Sequence, residues 1–410
     1  MPLSTWATDY VHLVLATGRH DPNFVDAYYG PPAWKATAET GEPKSLTALR
    51  AEAERLLAGV QAAQAGPDQA VRRDYLQGQL GAVAAHLARL AGQVLFFDDE
   101  AEALYQMRPP VTPEADFEAA LTRLDQLLEG TGTVQARYQR VRERVIVPTE
   151  RVDAVFQAAI HEARERTRQH ATLPASDHFR VEYVRDKAWS GYNWYQGGGS
   201  SVIQVNLDLP ITIDRALDLA AHEGYPGHHV YNALLEQRFA QAPPVGRGWV
   251  EFTVYPLFSP QSLIAEGTAN FGIEVAFPGA ERLTFEREVL FPLAGLDPQD
   301  AVFWARVQAE LKLLAFADNE AARGYLDGQL DRIQAETFLM RYSLRTAAQA
   351  AQRLRFIETY RSYVINYNLG EQRVRDWVNR QGGTADQPTR RWAIFLELIS
   401  SPRLPRALGF

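Results

Sequence analysis

Apolar side chains recur at helical spacing along most of the chain. In residues 5–17, Trp6, Tyr10, Leu13 and Val14 fall on one face, the three-and-four spacing of an amphipathic helix. Residues 46–65, 70–95, 113–129, 134–146 and 150–170 carry the same period on Ala, Leu, Arg and Gln, side chains that lose little freedom in a helix. The runs are cut at Gly30-Pro31-Pro32, Gly66-Pro67, Pro109-Pro110 and Pro148, and glycine and proline are the strongest local breakers. From Pro298 to Gln381 Ala-rich helical patterns dominate again.

Residues 180–209 depart from this period. The run Val181-Glu182-Tyr183-Val184 is β-branched and aromatic, and Gly197-Gly198-Gly199 is a turn signal. After the turn, Val202, Gln204 and Asn206 alternate with Ile203, Val205 and Leu207. Alternation with period two predicts a strand with unlike faces. The expected order is a hairpin, a helix over 212–225, and then Pro226-Gly227-His228-His229. No repeat, low-complexity tract or linker divides the chain. The expectation is a mainly α protein, a single large helical domain over 1–410, with a small β-hairpin or sheet next to the helix that carries the histidines.

Composition narrows the function. The 410 residues are 46% hydrophobic and 22% charged, with a net charge of −8, and the isoelectric point is about 5.7. An acidic chain is a poor general nucleic-acid binder. There is no cysteine, which excludes disulfides, thiolate metal ligands and a cysteine nucleophile. The N-terminal segment lacks the basic and apolar regions of a signal peptide. No run of about eighteen apolar residues suggests a membrane span. A cytoplasmic protein without nucleic-acid or membrane partners is expected.

Three of the nine histidines stand in HEGYPGHHV, residues 222–230. Zinc takes imidazole and carboxylate ligands at about 2.0–2.2 Å, and catalytic zinc keeps three protein ligands and an open position. The usual helical motif is His-Glu-x-x-His, with the glutamate as general base. Here the next histidines come six and seven residues after His222. In an unbroken helix the first faces away by about 120° and the second lies about 10 Å along the axis. Pro226 lacks an N–H and Gly227 tolerates unusual dihedrals. Together they permit a bulge that returns a later histidine, His228 or His229, towards His222. His161-Glu162, with Glu165 behind it, reads instead as a helical surface pair among arginines.

A third ligand is expected from SLIAEGTANFGIE, where Glu266 sits in an apolar helical stretch. A carboxylate there is costly unless paired, and a metal would offset that cost. Glu274, two turns on, reads as a solvated face. Asn270, one turn after Glu266, and Asp218, one turn before His222, stand where they could orient a ligand. The edge of strand 201–207, with Gln204 and Asn206, could pair with an extended peptide. GYNWYQGGGS, with Tyr192, could form a loop over the substrate.

HEGYPGHH followed by EGTANFGIE resembles the bacterial family catalogued as domain of unknown function 885. DPNFVDAYYGPP, FDDEAEALYQMRPP and the late YNLG are similar to that family as well, so the resemblance covers most of the chain. It implies a branch of the glutamate-zincin metallopeptidases, mostly helical with a deep cleft, whose metal-site core would lie within 179–275. It implies one Zn²⁺ ion held by His222, His228 and Glu266, with His229 as the alternative ligand. The likeness of the interrupted motif to that of dipeptidyl peptidase III favours His228. Thr268 replaces the tryptophan of the family's common Glu-Gly-Trp-Ala form, a change at a position that bears on substrate preference. Tyr367 matches the family's Tyr-x-x-Gly. Tyr363, one turn earlier, would share its face, and Gly370 would end their helix.

The expected function is a zinc-dependent hydrolase, foremost a peptidase, with Glu223 as general base. Tyr367 or Tyr363 would be the oxyanion donor, with Arg361 and Tyr192 next in line. The substrate would be a peptide or another small amide or ester. Two alternatives stand beside this: a hydrolase of a non-peptide amide or ester, and a non-catalytic helical protein with a structural metal. Glu223 speaks against the last, since a structural site needs no base.

Overall fold

The computed structural model describes residues 2–243 and 246–409. It is mainly α. The expected N-terminal helices form as Leu3–Thr17, Leu46–Ala62, Pro67–Leu90, Glu114–Leu127, Val134–Glu143 and Val152–Arg168. Local chemistry fixes their ends. Ser45 accepts from the Ala48 N–H at 3.2 Å, and proline opens Pro67–Leu90, where its missing N–H costs nothing. Thr346 and Gln349 cap each other's backbone at the start of Ala347–Tyr360, the reciprocal bonding of a capping box. The segment from Phe97 to Tyr105 adds a short helix that the periodicity did not mark. The apolar faces meet in one continuous core running from Leu3 to Leu408.

There are two small sheets rather than one. Strands β1 (Val25–Tyr28), β2 (His178–Val184), β3 (Gly191–Gly197), β4 (Ser200–Asn206) and β5 (Val254–Pro256) pair as β1-β5 and as β2-β4-β3. The first is antiparallel and joins segments far apart in sequence, beyond the reach of local pattern. In the second, Gly197, Gly198 and Gly199, all at positive φ, turn a hairpin into β4 as expected, but its first arm is β3 rather than Val181–Val184, which lies in β2 parallel to β4.

Two expectations fail at this sheet. Strand β4 is central, with β2 parallel on one side and β3 antiparallel on the other. Both its ladders are filled, so it is no edge for an extended peptide. The stretch from Gly191 is strand β3 with its turn, not a covering loop.

Two longer helices set the site. Pro260–Ala276 bears Glu266, and Ile365–Arg380 bears Tyr367. They cross at Gly267 and Gly370. A Cβ on Gly267 would lie 2.5 Å from the Gly370 backbone, and one on Gly370 would lie 2.8 Å from the Leu263 carbonyl oxygen. Gly370 therefore does not end the helix as expected; it lies inside it and lets two backbones touch. Bare backbone at the crossing brings the helices closer than side chains would allow.

This crossing predicts a contrast between identical substitutions. Gly81 lies within Pro67–Leu90 with nothing near its missing Cβ, so Gly81→Ala should stabilise by roughly 0.5–1 kcal/mol. Gly370→Ala gains the same propensity but forces backbone apart, at a cost towards the upper end of about 1–3 kcal/mol. Urea unfolding should move the two midpoints in opposite directions. A Gly370→Ala midpoint at or above that of the parent would contradict the crossing.

Candidate metal centre

The histidine motif is not one distorted helix. Helix Ile213–Leu219 passes into a single wide turn, Ala220–Gly224, with π-type bonding. The chain then leaves the helix at Tyr225, and a new helix begins at His228. Turns of this kind are rare and recur at functional sites. Gly227 closes the break: its N–H donates to the Ala221 carbonyl at 3.0 Å. A Cβ there would lie 1.8 Å from the His222 carbonyl oxygen, so only glycine fits. The result sets Nε2 of His222 and Nε2 of His228 3.1 Å apart.

Glu266 completes the group. Its Oε2 lies 3.2 Å from His222 Nε2, and its Oε1 lies 3.5 Å from His228 Nε2. Four ligands about 2.05 Å from an ion at tetrahedral angles stand about 3.3 Å apart. The two imidazole nitrogens and the carboxylate are spaced on that scale, with Glu266 turning one oxygen to each ring. Glu223 also offers a carboxylate oxygen within 4.8 Å of both ring nitrogens, but Glu266 is the closer partner.

The hydrogen bonds around these donors leave the shared point free. Asn270 Nδ2 donates to the Tyr367 carbonyl at 2.9 Å, which turns Asn270 Oδ1 towards His222 Nδ1, also at 2.9 Å. An amide oxygen only accepts, so Nδ1 carries a proton and Nε2 is the ring atom turned towards His228 and Glu266. Tyr363 Oη donates to Glu266 Oε1 at 2.7 Å. Glu266 Oε2, buried, has no hydrogen-bond partner among the described residues. The Nε2 atom of His222 and an orphaned carboxylate oxygen converge where a cation would satisfy both. This donor set fits a divalent ion that takes imidazole and carboxylate.

Charge within the group is shared unequally. Burial would raise Glu266, but His228 and His222 outweigh it and hold its carboxyl well below the usual range. Burial would lower His228, yet Glu266 and Glu223 raise it to about 9. Glu223 is raised by burial against the pull of both histidines. Its carboxylate makes no hydrogen bond among the described residues and faces the cavity. Strand β3 can close over it because Gly191 has no Cβ, which would stand 2.8 Å from Glu223 Oε1.

His229 points the other way. It is wholly buried, with Nδ1 2.8 Å from Ser201 Oγ and Nε2 2.9 Å from Asp177 Oδ1. It ties its helix to β4 and cannot reach the site. Asp218 pairs with Arg282 at 2.8 Å instead of orienting His222. Gln204 donates to Glu182, and Asn206 to the carbonyls of Lys187 and Trp189; neither lines the cavity. Arg361 pairs with Glu100. Glu274 is not a solvated face but joins Arg375 and Arg391. Tyr192 and Tyr367 do line the cavity. The Tyr192 hydroxyl donates to Asp26, while that of Tyr367 bonds no protein group among the described residues.

The cavity, about 420 Å³, opens on the face of the donor triangle. It draws on residues well outside 179–275. Asp26, Arg345 and Arg353 line it, and none carries a local signal, because only the tertiary fold gathers them. Burial lifts Asp26 to about 6 against its Tyr192 bond and the charge of His228.

No family model matches the sequence, and no curated protein matches it. Among solved structures, the chain is similar to "the putative lipoprotein from Colwellia psychrerythraea". The TM-score is 0.53 at 16% identity, over 89% of this chain and 68% of that one. The likeness shows a shared fold. Weaker likenesses reach a "putative lipoprotein of unknown function" from Shewanella oneidensis (TM-score 0.48, 13% identity, 92% of this chain and 75% of that one). They also reach an M32 carboxypeptidase from Deinococcus radiodurans R1 (TM-score 0.41, 13% identity, 98% and 91%). No described helix is long and apolar enough to cross a membrane.

The geometry separates the two adjacent histidines. His228→Ala should abolish stoichiometric zinc binding in a calorimetric titration while leaving the fold intact. His229→Ala should keep zinc but lower thermal stability, since it strands the buried Ser201 hydroxyl and removes one of the partners of Asp177, which keeps Arg164 and Tyr225, at a cost of about 1–3 kcal/mol. The reverse assignment of these two phenotypes would overturn the ligand set.

Proposed function

We propose that this protein is a zinc-dependent hydrolase, a peptidase of the glutamate-zincin type, and that it belongs with the family catalogued as domain of unknown function 885. The observation that carries the reading is the triangle of His222, His228 and Glu266, with Glu223 unbonded beside it and one side open to a cavity. A structural metal site closes its fourth position with protein; here His222, His228 and Glu266 border an open cavity. The motif HEGYPGHH with EGTANFGIE supports the family. The aromatic lining of Trp189, Phe356 and Tyr360 favours substrates with apolar side chains.

Zinc held by the three donors would acidify water and polarise the scissile carbonyl. Glu223 accepts a proton from the attacking water and delivers it to the leaving amine as the C–O bond forms and the C–N bond breaks. Burial, which raises Glu223, suits it to both halves of that exchange. Asn270 keeps the His222 ring in the tautomer that presents Nε2. Tyr363, bound to Glu266, orients the carboxylate ligand, and Tyr367, whose hydroxyl bonds no protein group among the described residues, is the donor for the developing oxyanion.

Glu223→Gln tests the base. The variant should bind zinc as the parent does and lose on the order of 10²–10⁴ in turnover of a peptide substrate. Turnover at the parent's rate would remove Glu223 from the mechanism.

The two tyrosines should part in their kinetics. Tyr367→Phe should lower kcat far more than it raises KM, since its bond forms in the transition state. Tyr363→Phe should instead weaken zinc affinity, by loosening Glu266. Full kcat in Tyr367→Phe would send the search for the donor elsewhere.

A further inference from the structure

The cavity has a second polar end. Asp318 is buried there, and its Oδ1 accepts from Ser343 Oγ at 2.8 Å. Its Oδ2 is shared between Arg345 Nη2 and Arg353 Nε, each at 2.8 Å. One carboxylate thus faces two guanidinium groups, and one positive charge is left over. That charge lies among aromatic faces: the Arg353 guanidinium is 4.7 Å from the ring centre of Phe356 and 5.9 Å from that of Tyr367. Neither Nη of Arg353 donates to a protein acceptor among the described residues, and the side chain lines the cavity. A single guanidinium would suffice to neutralise Asp318. The second, largely buried with its side chain 18% exposed and turned to the cavity, is left with donors that an anion entering there would satisfy.

Tyr367 connects this end to the metal donors. Its ring lies 6.5 Å from that of His222 on one side and 5.9 Å from the Arg353 guanidinium on the other. Together these separations cap the span at about 12 Å. An ion at the donors and a carboxylate on the guanidinium each take up a few ångströms of it, so an extended peptide, advancing about 3.3–3.6 Å per residue, fits roughly one or two residues. The metal end carries Asp26 and Glu223, with Arg215 also on the wall near Glu223. Beyond Tyr367 the lining carries Arg345 and Arg353 against the one carboxylate of Asp318.

We propose that Arg353, with Arg345, forms a subsite for a substrate carboxylate, one or two residues past the bond cleaved at the metal centre. The ligand class is a short peptide or N-acylated amino acid with a free carboxylate at that distance. A planar guanidinium pairs well with carboxylate through two parallel N–H···O bonds. The position of the cleaved bond rests on the hydrolase reading above; binding of the carboxylate does not.

The test is calorimetric titration of the zinc-loaded Glu223→Gln protein with three ligands. These are N-acetyl-phenylalanyl-leucine, its C-terminal amide, and the amide in which aspartate replaces leucine. The free acid should bind at least about tenfold tighter than the leucine amide, as loss of a charge-assisted pair implies. Arg353→Met, added to Glu223→Gln, should reduce that preference to less than about threefold, and Arg345→Met should weaken it. Each of these variants leaves the other arginine on Asp318, so the buried carboxylate stays paired. Equal binding of acid and leucine amide, or full preference retained without Arg353, overturns the subsite. Binding of the aspartate amide as tightly as the free acid supports the subsite and assigns the carboxylate to a side chain; weak binding of that amide alongside tight binding of the acid assigns it to the chain terminus. Turnover by the parent enzyme is measured separately. Arginine-dependent binding without turnover keeps the subsite and removes the hydrolase reading, whereas turnover with equal affinities does the opposite.

Discussion

A carboxylate enclosed in an apolar helix needs a positive partner, and Glu266 meets that need with two imidazoles. Much of the surrounding structure serves to bring those three groups together. The Gly267–Gly370 crossing sets the two long helices close enough for Tyr363 and Asn270 to tie the carboxylate and the His222 ring. The break at Gly227 brings in the second imidazole. Removing any one of these would leave buried polar atoms facing each other without a common partner.

The interrupted motif illustrates how a spacing that looks wrong on a helical wheel becomes right in three dimensions. Six residues separate His222 from His228, and a continuous helix would point them apart. One widened turn and an exit at Tyr225 restart the helix in a new place. The adjacent His229 is then carried to the opposite side, where Asp177 and Ser201 hold it. Two neighbouring histidines in one motif thus do different work, one in the donor group and one in joining the helix to the sheet.

The helices were legible because each buries a stripe at its own period, and their bounds shifted by only a few residues. The donor group was legible for two reasons: the histidines cluster locally, and Glu266 is conspicuous as a charge in an apolar run. What escaped depends on partners distant in sequence. The pairing of β1 with β5 joins residues more than two hundred apart. The middle position of β4 follows from β2 packing parallel beside it, which no alternation in β4 reveals. Gly370 read as a helix end because its contact, Gly267, lies on another helix. Asp26 sits in DPNFVDAYYGPP and Arg353 in a helix that the periodicity marked, but nothing local to either, or to Arg345, points to a shared site; the cavity alone relates them.

The central claim is that two imidazoles and one carboxylate bind a single ion. Zinc K-edge absorption of the protein loaded with one equivalent of zinc reads this directly. The account predicts an inner coordination sphere of two imidazole nitrogens with oxygen completing it, at about 2.0–2.2 Å. In Glu223→Gln the two-imidazole signature should persist. A sphere with one or three imidazoles, or with oxygen alone, would contradict it.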